Sequence, residues 1–210
     1  MNFKHIKALK KLRQSYPEFN GEEITSYCQR LLKVNAPIVS LGQVNYNPEW
    51  PTWFSNEKFR LLESSNILDI VDVQQIGSTA IPGMKAKNII DIACVINNSP
   101  NDKSVIHEMK QLDYKFYGNS PINRDAYWFW SFKVQSAYVV HLCKLGNPCF
   151  NIPFAFRDYL SQHPEERESY ALKKKMLSLH SDNLFAYSIE KVAILCELFE
   201  RANKWRKRRR

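Results

Sequence analysis

The sequence has no apolar run long enough to cross a bilayer, no Cys-x-x-Cys pair, no internal repeat and no low-complexity block apart from its basic end. Each absence excludes something. The longest hydrophobic runs fall far short of the roughly 18 to 20 residues that a spanning helix needs, and no N-terminal apolar segment resembles a signal peptide. Cys28, Cys94, Cys143, Cys149 and Cys196 are odd in number and lack zinc-ligand spacing, so neither a disulfide framework nor a zinc site is expected. Cys94 and Cys196 sit inside apolar runs, where a free thiol behaves as a small hydrophobe. The expectation is a soluble, cytoplasmic protein with no membrane span.

A large basic surplus in the body of the chain is also lacking, despite a formal charge of +9. The ending "KWRKRRR" carries six of the 30 Lys and Arg, so removing it leaves 24 basic against 21 acidic residues. Residues 204–210 therefore form a basic tail that suits RNA, a membrane surface or an acidic partner, with a solvated, frayed terminus as the plainer reading. No interleaving of aromatic and basic residues marks a nucleic-acid groove.

What is present is a globular chain. With 44% hydrophobic and 13% aromatic residues among 210, a substantial core is affordable and disorder is excluded. Residues 1–44 read as a detachable helical extension. Phe3, Ile6, Leu9 and Leu12 recur at helical spacing, then Ile24, Tyr27, Leu31 and Val34. A further helix follows Asn47-Pro48, with Trp50, Trp53, Phe54, Leu61 and Leu62 as its stripe. "ILDIVDVQQI" and "NIIDIACVI" read as strands on either side of a Gly77-Ser78 turn. "SVIHEMKQLDYKFYG" reads as a helix ending near Tyr114 and Gly118, and "DAYWFWSFKV" with "AYVVHLCKL" as paired strands. From Pro153 onward the chain reads helical, its last helix running from about residue 182 into the tail. The order predicts an α+β fold, a small mixed β-sheet with flanking helices and a helical C-terminal half.

Strand alternation singles out one acid. Ile89, Asp91, Ala93 and Val95 share a face, whereas Ile90, Ile92, Cys94 and Ile96 share the other and belong to a core. An ionised Asp91 on a mostly apolar face must meet a cation, a metal or donor groups, a salt bridge to Lys85, Lys87 or a helix lysine being the ordinary solution. The loop before it, "GSTAIPGMKAK", offers Gly77 for close backbone approach and Ser78 as a hydroxyl, without the glycine-lysine-serine ending of a P-loop. His141 alternates onto the face that Asp91 shares if the two strands join one sheet, as base, phosphate contact or metal ligand, or as a satisfied structural histidine. Lys191 lies on the buried stripe of Leu184, Tyr187, Leu195 and Leu198. Its ammonium either snorkels outward or meets an anion. Arg124 and Arg157 are further phosphate-binding candidates, although surface carboxylates serve an arginine equally well.

"QIGSTAIPGMKAKNIIDI" resembles the signature of the GrpB-like family of the nucleotidyltransferase superfamily. "YNPEWPTWF" before it and "FRDYLSQHPEERESYALKK" after it, with Tyr187 and Lys191 beyond, are similar to other regions of that family in the same order. The resemblance covers residues 45–203 and leaves the first 44 and the tail as additions. It implies a Gly77-Ser78 phosphate loop and Asp91 as a magnesium-binding, catalytic carboxylate, with His141 helping to position or deprotonate an acceptor. Lys87, Arg124, Arg157 and Lys191 would bind a nucleotide or other phosphorylated small molecule. The implied activity is transfer of a nucleotidyl group to an unknown acceptor, with a non-catalytic nucleotide-binding or interaction module as the alternative. Ala93 stands where active superfamily members carry a second acid. Gln75 and Asn88 replace a usual histidine and proline, and Val140 and Cys143 replace two histidines of a His-His-Leu-His run. Ser78, Lys87, Asp91, His141, Lys173 and Lys191 are the retained polar positions.

Overall fold

A computed structural model describes residues 38–64, 68–99, 103–119, 126–147, 150–181 and 183–209. The expected N-terminal helices and Arg124 lie outside these residues, as do Cys28 and Cys149. Helix α1 (Trp50–Glu63) leads into β1 (Ile70–Ile76), a 3-10 turn (Ser78–Ala80), β2 (Ile89–Ile96), α2 (Lys103–Gln111), β3 (Lys115–Asn119), β4 (Tyr127–Phe132) and β5 (Ala137–Lys144). Four helices finish the chain: α3 (Asn151–Gln162), α4 (Pro164–Ser178), α5 (Leu184–Glu190) and α6 (Val192–Lys207). The strands form one mixed sheet in the order β1-β2-β5-β4-β3, with β2 and β5 parallel and the other neighbours antiparallel. The α+β expectation is met. No helix among the described residues is long and apolar enough to cross a membrane.

The period of two along β2 separates the faces of this sheet. Ile90, Ile92, Cys94 and Ile96 join Val140 and Leu142 of β5, with Trp50 and Leu61 of α1 and Met109 of α2, in the main core. Burial there pushes the Cys94 thiol well up, as suits an inert core cysteine. The opposite face carries Ile76, Asp91, Val139, His141, Trp128 and Trp130, and a cavity separates it from side chains of α3, α4, α5 and α6. The C-terminal helices cohere through a cluster that includes Phe156, Leu160, Leu195 and Leu198.

Three elements differ from their sequence reading. The helix expected to reach Tyr114 stops at Gln111. Asp113 takes φ 59°, with its N–H on Lys110 O at 3.0 Å and the Tyr114 N–H on Met109 O at 2.9 Å. That is a left-handed cap in which a short aspartate side chain tolerates the conformation glycine usually supplies. Released from the helix, residues 115–119 pair with β4 as an edge strand, and Phe116 meets Phe129 at 5.0 Å.

The last helix is two segments, α5 and α6, joined at Lys191. Hydrogen bonds from Lys191 N to Tyr187 O and from Leu195 N to Lys191 O continue the ladder across the joint. Lastly, the helix runs into the basic residues as the sequence reading has it, through Lys207, in place of the frayed terminus that is the plainer reading of the tail. Trp205 packs against Tyr159 and His163, Arg206 donates to Asn151 O at 3.3 Å, and Arg209 bonds Gln162.

One buried acid went unread in the sequence. Glu57 lies on the inward stripe of α1 between Phe54 and Leu61, 2% exposed. Its carboxylate accepts from Arg60, Lys133 and the Tyr114 hydroxyl.

Candidate functional site

Gly77 ends β1 in a conformation reserved for glycine, φ 71° and ψ −166°. A side chain there is excluded twice over, because an added Cβ would sit within 2.9 Å of the Asp91 Cβ and Cγ and closer still to Oδ2. The close backbone approach expected of Gly77 is thus an approach to Asp91. Thr79 fastens the turn to the next strand by donating to Ile89 O at 3.0 Å, and Gln75 reaches Thr79 Oγ1 at 3.4 Å from the core face. Asn88, the other departure from the family pattern, accepts from Trp50 Nε1 and donates to Gln135 O, tying α1 to the β4–β5 turn.

Asp91 and His141 meet as the strand alternation suggests. His141 Nε2 lies 3.2 Å from Asp91 Oδ1, and Trp128 Nε1–H donates to His141 Nδ1 at 3.0 Å. An indole nitrogen can only donate, so Nδ1 accepts and the neutral ring carries its proton on Nε2, where it donates to Asp91. Both ring nitrogens are occupied. The ring is thereby held between Trp128 and the carboxylate.

Three lysines share the cavity with this single carboxylate. Lys87 holds its Nζ 3.5 Å from the Tyr187 ring centroid, and Lys191 approaches the same ring at 5.5 Å. Cation–π contact of this kind is worth roughly 0.5 to 2 kcal/mol, more as water is excluded. The third is Lys174, 2% exposed, whose Nζ donates to Ser78 Oγ at 2.9 Å and to Lys85 O at 3.1 Å. Burial and then the Lys191 ammonium push Lys174 down to about 7, against the opposing pull of Asp91. Burial followed by Lys191 and Lys174 lowers Lys87 well below the ordinary lysine value, and burial lowers Lys191. No hydrogen bond runs from these ammonium groups to Asp91, so the salt bridge expected of a lysine is replaced by the histidine contact.

The family resemblance gives Lys173 as a retained polar position, whereas α4 turns Lys174 inward with Tyr170 four residues before it. That i, i+4 relation was the available sign. Arg157 stands off the cavity, its Nη1 on Gln75 O at 3.0 Å and Gln74 Oε1 at 3.3 Å and its Nε on Asp158 Oδ1 at 2.8 Å. Asp72 accepts from Gln74 Nε2 at 2.7 Å, so neither Asp72 nor Asp158 joins Asp91.

The magnesium implied by the family resemblance calls for oxygen donors in octahedral array. Among the described residues no three His, Cys, Asp or Glu side chains come together, and Asp91 has one oxygen already engaged beside three amines. This donor set does not fit a protein-held magnesium ion. Among the described lining residues three amines stand beside one carboxylate, in a cavity of about 180 Å³.

Comparison with known proteins agrees on kinship. The UPF0157 protein YqkA of Bacillus subtilis is 33% identical over 165 residues, which is 78% of this chain but only 48% of YqkA, so the chain spans about half of that relative. The crystal structure of the conserved protein GrpB from Enterococcus faecalis superposes with a TM-score of 0.66 at 25% identity, covering 78% of this chain and 98% of that one. The Cid1 poly(U) polymerase with magnesium and 3′-dATP is similar at a TM-score of 0.46 and 10% identity over 80% of this chain and 52% of its own. That likeness is too slight to carry an argument. The pattern described as GrpB protein matches residues 42–201, well over half of the sequence, and the chain belongs to the GrpB family.

Proposed function

We propose that the cavity between the sheet and the C-terminal helices binds a phosphate-bearing small molecule, a nucleoside triphosphate being the first to try. One observation carries the reading. Lys87, Lys174 and Lys191 converge beside the Gly77–Ser78 turn, with Asp91 as their sole acidic companion among the described residues of the lining. Buried amines held near one another are costly unless a counter-charge is supplied, and one aspartate cannot supply it for three. A phosphate group restores the balance, and its oxygens accept from ammonium groups in charge-assisted hydrogen bonds.

Binding is favoured over group transfer because, among the described residues, the one histidine in the lining has a partner at both nitrogens and no second carboxylate accompanies Asp91. Nucleotidyl transfer to an acceptor is the second reading. It is supported by the glycine-serine turn lying directly against a strand-borne carboxylate.

Titration calorimetry with sulfate, pyrophosphate and ATP, each with and without magnesium, separates the two. Binding without magnesium, weakened about tenfold or more by Lys191→Ala, is the expected result, a loss in the range usual for a charge-assisted contact. Absence of anion binding, or indifference to Lys191→Ala, sinks the proposal. A strict magnesium requirement with a nucleotidylated product would install the transferase instead.

A further inference from the structure

The lysines account for the charged part of the cavity lining and leave Trp130 unexplained. Asp91, Val139 and Trp130 stand opposite one another on β2, β5 and β4, so they project from one face of the sheet. Two strand spacings separate the first from the last, roughly 10 Å. Beside the charged groups the lining also carries apolar side chains, among them Ile89, Val139, Phe150, Phe156 and Phe199. Trp130 belongs to this lining, is 3% exposed, and its Nε1–H meets no acceptor among the described residues. Its neighbour Trp128, 6.1 Å away between ring centroids, shows the satisfied case by donating to His141. A buried indole N–H without an acceptor costs free energy, and most buried polar groups in folded proteins avoid that state. The cavity itself, about 180 Å³, falls below the roughly 300 to 1,000 Å³ of drug-sized ligand sites.

Resting on the phosphate reading above, we propose that the ligand is a phosphate monoester of a single apolar ring. The lysines hold the phosphate, the ring lies over Val139, and an acceptor on the far side of the ring takes the Trp130 Nε1–H. One ring between phosphate and acceptor matches the distance from Asp91 to Trp130, and one ring is what the volume admits. A whole nucleoside triphosphate would have to project out of the cavity.

The test uses the full chain, labelled with nitrogen-15 so that indole N–H resonances report individually, and assigns Trp130 by the signal lost in Trp130→Phe. The probes are inorganic phosphate, phenyl phosphate, and 4-formylphenyl phosphate, which adds a carbonyl acceptor. The expected result is affinity rising in that order, with the Trp130 indole shifting downfield only for the formyl compound. Trp130→Phe should erase the formyl advantage, roughly three- to tenfold. If inorganic phosphate binds and Lys191→Ala weakens it, but the ring adds nothing and the Trp130 indole stays in place, this inference fails while the phosphate reading stands. If no phosphate compound binds at all, both fall together. If Trp130→Phe folds poorly, the wild-type affinities still decide the matter, because 4-formylphenyl phosphate binding no more tightly than phenyl phosphate overturns the inference.

Discussion

The molecule buries charge in two places and treats them differently. At Glu57 one carboxylate faces Arg60, Lys133 and the Tyr114 hydroxyl, and both of its oxygens are taken. Burial pushes its carboxyl up, yet the hydrogen bonds from Arg60, Lys133 and Tyr114 prevail and hold it below the ordinary glutamate value. At Asp91 one carboxylate shares a cavity with Lys87, Lys174 and Lys191, and its single hydrogen bond goes to His141. The first cluster is closed: every oxygen of the acid has a donor, and the contacts join α1 to the residue before β3 and to the turn after β4. The second is open, with amines whose proton affinity is lowered by burial and, for Lys87 and Lys174, by the neighbouring ammonium groups. A saturated cluster is architecture, whereas an unsaturated one is prepared for something that arrives. The three variants below, taken from the largest expected effect to the smallest, are chosen to break that distinction.

Glu57→Gln should be the most damaging. It keeps the side-chain volume but leaves Arg60 and Lys133 without their counter-ion. These partners are 29% and 30% exposed, so water recovers part of the loss. A destabilisation of about 2 kcal/mol in urea denaturation is expected, below the roughly 3 to 5 kcal/mol of a fully buried pair. Wild-type stability from this group is present above pH 4.5 and is lost as pH falls through the lowered folded value. If Glu57→Gln leaves stability within about 0.5 kcal/mol, typical of neutral surface changes, the cluster is not architecture.

The open cluster should respond in the opposite sense. Lys174 is depressed from 10.5 to about 7, so between those values the unfolded chain binds more protons than the folded one. Stability must therefore rise with pH across that window. Lys174→Met removes this slope, is neutral or stabilising near pH 7, and weakens anion binding because Ser78 and Lys85 lose the ammonium that bridges them. Sulfate keeps its charge through this range, and in the wild type its affinity should fall as pH rises past about 7. Lys87, Lys191, Asp91 and Tyr170 all act on the same group or adjoin it, so the curve will be broader than a single titration. Denaturation and sulfate titration at about pH 6 and about pH 9 check both signs. Wild-type stability that falls over this interval would contradict the assignment.

How much of this was legible depended on whether the period of an element or its partner set the outcome. Alternation along "NIIDIACVI" was enough to assign Asp91 and the core face, since a strand offers only two faces. It also put His141 with Asp91 once β2 and β5 were neighbours. The stop at Asp113 was hidden because an aspartate in the left-handed conformation carries none of the glycine signal that marks most such caps. Lys174 went unread beside Lys173, the retained family position, because adjacent lysines differ by about 100° around a helix, and Tyr170 four residues earlier was the sign that distinguishes them. Glu57 sits on the apolar stripe of α1, but its cations come from Arg60 nearby and from Lys133 after β4, and no local pattern announces the second. The occupation of both His141 nitrogens needed Trp128 across the β4–β5 pair, a tertiary fact.

Arg157 gives the smallest effect and the sharpest control. Its residue type and its position on the helix after β5 suit phosphate binding as well as Lys191 does. Yet its guanidinium is spent on Gln75 O, Gln74 and Asp158, outside the cavity lining. Arg157→Ala should then cost at most about 1 kcal/mol of stability, the net worth of a hydrogen bond or two at a partly exposed site. Sulfate affinity should stay within about twofold, since a charge outside the cavity acts through solvent and is screened at ordinary salt. The comparison with Lys191→Ala in one titration series separates a cation that lines the cavity from one that merely adjoins it. Equal losses for the two would mean that the basic character of the region, and not the three converging lysines, attracts the anion, and the open cluster would lose its special standing.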